Sequence, residues 1–132
     1  RHRINTWALV ALPAYKTLGR ETFETNDADR LRRLADSERM WDKRIAIVAT
    51  MHWIRQGHTA LAFELALRNL THPHDLMHKA IGWMLREAGK KDAERLYDFV
   101  EAHRREMPRT MLRYAIEGLD PDARARYRAM RP

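Results

Sequence analysis

Aromatic and basic residues keep company at several points of the chain. Trp41 lies three residues before Arg44, Trp83 is followed one helical turn later by Arg86 in KAIGWMLREAGKK, and Trp7 stands near the start of the first helical stretch. An indole face attracts cations and a guanidinium fork grips phosphate, so this pairing suits a nucleic-acid surface. Each residue also has a plainer reading. A tryptophan within an apolar helical stripe packs into a core, and an arginine occupies a solvated face. The residue types by themselves leave both readings open. HPHDLMH puts His74 and His78 four apart on one helical face, with His72 and Asp75 close by, the look of a zinc cluster. The two-histidine metal helix needs a carboxylate or third ligand at fixed spacing, and HExxH is not met, so a histidine-rich helix start is expected and no metal. Neither a glycine-rich phosphate loop nor a G-x-S-x-G turn occurs, which leaves nucleotide hydrolysis and acyl transfer without support.

The elements that must position these residues read as helices throughout. Val and Ile are few, no alternating strand pattern occurs, and the helix formers Ala, Leu, Met, Arg and Glu abound. NTWALVALPAYKTLG has a cap candidate at Asn5 or Thr6 and a stop at Gly19. NDADRLRRLAD begins at Asn26, and SERMWDKRIAIVATMHWIRQG runs from a Ser37 cap to Gly57. HTALAFELALRNL begins at Thr59. HPHDLMHKAIGWMLREAG follows, with Pro73 near its first turn and Gly89 past its last. DAERLYDFVEAHRREM starts from Asp92, PRTMLRYAIEGL from Pro108, and DPDARARYRAM from Asp120 and Pro121. Every link is short, so neighbouring helices are antiparallel, and the pairs recur about every 30 to 40 residues. The expected fold is all-α, a HEAT-like solenoid of antiparallel helix pairs forming one domain over residues 1–132.

Charge narrows the partner. The 132 residues carry 25 Lys and Arg against 18 Asp and Glu, a net charge of +7 that favours a polyanion. No apolar run reaches the roughly 18 residues of a membrane span, and RHRINTW lacks a signal peptide's apolar centre. The absence of cysteine agrees with a reducing compartment. A cytoplasmic monomer is expected.

Three segments, WDKRIAIVAT, KAIGWMLREAGK and PRTMLRYAIE, occur together and in that order. In this the chain resembles the DNA alkylation repair glycosylases of the AlkD-like HEAT-repeat family, from Ile4 to about Leu119, over what would be the C-terminal part of such proteins; further N-terminal helices are therefore expected in the full family fold. The resemblance implies a curved solenoid whose concave, basic face holds duplex DNA, in association with the nucleoid. The implied activity is hydrolysis of the N-glycosidic bond of cationic N3- or N7-alkylated purines, without a cofactor. It assigns Trp7 and Trp83 to the sugar and Arg44 to a phosphate; Arg109 and Arg113 are further phosphate candidates.

One stretch departs from the family pattern. There Asn-x-Trp is followed by Asp-Leu-Val-Asp, whose second aspartate is the catalytic carboxylate. NTWALVALPA has Ala8 and Ala11 at the two aspartate positions. Alanine can neither oppose a cationic sugar nor orient water, so the resemblance implies a DNA cleft with a vacancy at Ala11. Asp42 is the first alternative carboxylate.

Overall fold

The computed structural model describes residues 6–129, with side chains for residues 14–125. Eight helices and no strand occur among them: α1 Thr6–Glu24, α2 Ala28–Ala35, α3 Met40–Arg55, α4 Ala60–Arg68, α5 Asp75–Lys91, α6 Ala93–His103, α7 Arg109–Ile116 and α8 Pro121–Ala129. Three of the starts are fixed by aspartates. Asp27 accepts from the Arg30 N–H at 3.2 Å, Asp92 from the Arg95 N–H at 3.2 Å and Asp120 from the Ala123 N–H at 3.0 Å. Each cap satisfies an amide that the first turn leaves without a helical partner, a contribution of about 1 kcal/mol.

Several expected boundaries move. α1 runs through Gly19 to Glu24, and α5 runs through Gly89 to Lys91. These glycines are points of close approach. A Cβ on Gly19 would stand 2.6 Å from the Ala49 carbonyl oxygen of α3, and one on Gly89 would collide with Leu96 of α6. Gly57, with φ +87°, does end its segment, two residues after α3. α3 starts at Met40 and not at Ser37: the Ser37 hydroxyl accepts from the Arg39 N–H at 3.1 Å and donates to Asp42 at 2.8 Å. Asn26 lies in the left-handed region one residue before the true cap, Asp27. The Asn5 cap candidate falls outside the described residues, and Thr6 outside the described side chains.

The helices pack as a repeat. α1, α3, α5 and α7 stack in that order into one row; α2 packs on α3 and α4, α4 on α3 and α5, and α6 on α5. Contacts between successive units keep nearly constant sequence separations. Trp53 donates to Thr22, 31 residues apart; Arg32 meets Glu64 and Arg68 meets Asp36, each 32 apart; Arg86 meets Glu117, 31 apart. Because Arg32 pairs with Glu64 and then Asp36 with Arg68, α2 and α4 run parallel. The same holds for α5 and α7, where Gly82 faces Met111 and Tyr114 before Arg86 meets Glu117. Each two-helix unit thus restates the one before it. Ile47 and Ile54 of α3, Ile81 and Leu85 of α5 and Met111 and Ile116 of α7 are almost wholly buried, which joins the row into a continuous core. Burial of each contributes about 1.5 to 3 kcal/mol.

Candidate nucleic-acid interface

The candidate site residues fall on successive members of a single row of helices. Trp7 and Ala11 belong to α1, in the part whose side chains lie outside the described residues. Arg44 is on α3, Trp83 on α5, and Arg109 and Arg113 on α7. None is on α2, α4 or α6. Arg109 and Arg113 are exposed and four residues apart, so both project from one side of α7.

Arg44 is the unexpected member. It is buried, with 7 % of its surface exposed, and its guanidinium lies 5.9 Å from the centre of the Trp41 ring. Burial draws its pKa below the ordinary arginine value, because loss of water disfavours the charged form. A desolvated cation of this kind gains more from a nearby anion than a solvated one does. Asp42, the alternative carboxylate, is half-buried in the first turn of α3 and accepts from Ser37; this ties it to the turn before the helix.

Two tryptophans show what separates core from surface. Trp53 is 7 % exposed and donates its ring N–H to Thr22 at 3.1 Å, which satisfies the polar edge of a core residue. Trp83 is half-buried and packs against the core from its rim. Beside it Gly82 brings α5 against α7. A Cβ there would lie 2.7 Å from the Met111 carbonyl oxygen and 2.6 Å from Tyr114 Cβ. The glycine in KAIGW is therefore what allows the helix of Trp83 and the helix of Arg109 and Arg113 to approach.

The histidines of HPHDLMH serve the backbone. His74 accepts from the Leu76 N–H at 3.1 Å, His72 accepts from the His74 N–H at 3.1 Å, and the His78 ring bonds to the His72 carbonyl. Among the described residues no three His, Cys, Asp or Glu side chains converge as a metal site would require. His72 is pushed below its ordinary pKa by burial first and then by Lys43.

Two arrangements escaped sequence reading. Lys43 donates to the Ala35 carbonyl and to Asn69 Oδ1, both at 3.0 Å, while buried Asn69 donates to the same carbonyl at 3.2 Å. This joins the end of α2, the start of α3 and the end of α4, next to Arg44. The signal was absent from the sequence, since nothing in a lone Lys and a lone Asn 26 residues apart marks them as partners. The second arrangement is a depression of about 390 Å³, lined in part by Trp53, His58, Arg32, Glu64 and Arg95. Its Arg32 is held by Glu64 and Asp29, which raise the guanidinium pKa and leave little attraction for an added anion.

No helix among the described residues is long and apolar enough to cross a membrane. Compared with known proteins, residues 1–119 match a family model described as DNA alkylation repair enzyme. Neither a curated protein nor a solved structure gives a match.

Proposed function

Because this chain belongs to the DNA alkylation repair enzyme family, its substrate is sought on DNA, and we propose that it binds duplex DNA carrying N3- or N7-alkylated purines along the α1–α3–α5–α7 row. The row is then the concave face of a HEAT-like solenoid. The observation that carries the reading is the distribution just described: the tryptophan, arginine and vacant carboxylate positions all fall on this one row. The surface supports it too. Leu67 is the one large exposed apolar residue among those described, so these residues offer no apolar patch to anchor a protein partner, while the chain carries +7.

The reaction is hydrolysis of the N-glycosidic bond. An alkylated purine is cationic, so when the bond from the sugar C1′ breaks, its electron pair neutralises the departing base. Water adds to C1′ and gives up a proton. The enzyme must stabilise a sugar with oxocarbenium character, which the Trp83 face can do from one side while Arg44 holds the adjacent phosphate. A carboxylate would oppose the sugar's charge and orient the water. Ala11 occupies that position, so the proposed protein binds alkylated DNA and hydrolyses it slowly, the sequence observation favouring a mainly DNA-binding member.

The test is equilibrium binding of a duplex with and without one 7-methylguanine between about 50 and 200 mM salt. Affinity is expected to fall by orders of magnitude over that range, as for several phosphate contacts, and the modified duplex to be preferred. Affinity that hardly responds to salt would overturn it.

A further inference from the structure

On α5, Lys79, Trp83, Arg86 and Lys90 recur at spacings of four, three and four, which aligns them as a single stripe. All four lie outside the buried set of that helix, whose opposite side carries Met77, Ile81, Met84 and Leu85. The stripe is three cations around one tryptophan. Of these, Arg86 reaches the segment just past α7: it meets Glu117, and a Cβ on Gly118 would touch Arg86 Cγ at 3.4 Å.

Arg86 is held by two carboxylates of unlike standing. Its Nη1 donates to Glu117, whose side chain is 55 % exposed just past the end of α7, and its Nε lies 3.5 Å from Glu87, which is 19 % exposed and also bound by Lys90 at 3.0 Å. Glu87 is fixed by two partners on its own helix. Glu117 has solvent to swing into. It also stands four residues beyond Arg113 and eight beyond Arg109, an acidic end to an otherwise basic line.

From this geometry we infer that Arg86 is a further DNA phosphate ligand, and that Glu117 is an intramolecular stand-in for the phosphate, holding the guanidinium until the DNA backbone replaces it. A guanidinium donates to carboxylate and to phosphate oxygens alike, so Nη1 can pass from Glu117 to a phosphate oxygen and Arg86 stays partnered throughout. Its stem is fixed one turn from Trp83, which puts the gripped phosphate beside the nucleotide that Trp83 faces. Glu117 lowers affinity for any polyanion that cannot displace it. The inference rests on the DNA-binding reading above.

Fluorescence anisotropy with a labelled duplex tests it, using the whole chain and the variants Arg86→Gln, Arg86→Lys, Glu117→Gln and the Arg86→Gln/Glu117→Gln double, each across the same salt series. Arg86→Gln is expected to reduce the slope of log affinity against log salt by about one, and Arg86→Lys to restore it. Loss of packing alone would not change that slope. Glu117→Gln is expected to tighten binding about two- to fivefold, the scale of one exposed ion pair, and this gain is expected to vanish when Arg86 is already Gln. An unchanged slope in Arg86→Gln, beside a steep slope in the parent, overturns the inference and leaves the DNA reading standing. So does a Glu117→Gln gain of equal size with and without Arg86, which would reduce Glu117 to general repulsion. A parent whose binding does not depend on salt overturns both.

Discussion

Gly82→Ala offers the most structural detail for a magnitude. In an otherwise unconstrained helix the change would stabilise by about 1 kcal/mol, since alanine orders more cheaply than glycine. Here the added methyl meets Tyr114 Cβ at 2.6 Å, the Met111 carbonyl oxygen at 2.7 Å and Met111 Cα at 3.3 Å. None of these atoms can rotate away, so α7 itself must move by several tenths of an ångström. Overpacking of this kind costs about 1 to 3 kcal/mol, and rigid neighbours put it near the upper end. The net loss expected is about 2 kcal/mol. At roughly 3 to 4 °C per kcal/mol for a chain of this length, thermal unfolding followed by circular dichroism should fall about 6 to 8 °C. Gly118→Ala is the control, because its Cβ would meet Arg86 Cγ at an ordinary 3.4 Å, and it should shift the midpoint by less than about 2 °C. The displaced α7 carries Arg109 and Arg113, so duplex affinity should fall in Gly82→Ala and hold in Gly118→Ala. A Gly82→Ala protein as stable as the control would refute the claim that this glycine sets the spacing of α5 and α7.

Other outcomes follow from the same geometry. Trp53→Ala should lose about 3 to 5 kcal/mol of stability as a fully buried aromatic, whereas half-buried Trp83→Ala should lose clearly less in the same urea titrations yet weaken binding to the modified duplex. The Glu64 carboxyl is held below its ordinary pKa by Arg32 first and by Arg68 further down, so its contribution to stability is complete above about pH 4.3 and is lost as pH falls through the lowered value. Glu64→Gln should therefore flatten the acid limb of a stability profile, and a limb of unchanged steepness would count against it. Neutral His72 is likewise favoured by folding, so stability should decline as pH drops below about 6.5, and His72→Gln should remove that part of the decline.

Local chemistry was the legible part of the fold. Asp92 and Asp120 cap helices through contacts within three residues, so their side chains announce the starts on their own, whereas Asn26 and Asp27 are both cap residues by type and only the Arg30 N–H singles out Asp27. Gly19 and Gly89 look the same in sequence as a helix-ending glycine such as Gly57. Only the position of Ala49 or Leu96 across the crossing shows that they lie inside helices. The repeat was visible as a loose period, and its register emerged only when pairs such as Arg32 with Glu64 and Arg86 with Glu117 fixed separations of 32 and 31 residues. At the candidate interface the residue types were legible and their environments were not. An arginine is read as solvated by default, yet Arg44 is buried beside Trp41, because exposure depends on helices distant in sequence. Lys43 with Asn69, and Glu117 opposite Arg86, were invisible for the same reason.

The proposed function joins a DNA-binding row to an alanine, and no carboxylate, at position 11. Ala11 stands four residues after Trp7 in the sequence, the spacing of one helical turn. Opposing a developing positive charge at a reacting centre is comparable to one oxyanion-hole donor, about 2.7 to 4 kcal/mol, or 10²- to 10³-fold in rate. The direct measurement is single-turnover release of 7-methylguanine from duplex DNA by the chain and by Ala11→Asp. Slow release by the parent is expected, with a gain of about that size in the variant and similar DNA affinity for both. A variant that gains nothing, or a parent as fast as the variant, would contradict it and move the search for the carboxylate to Asp42.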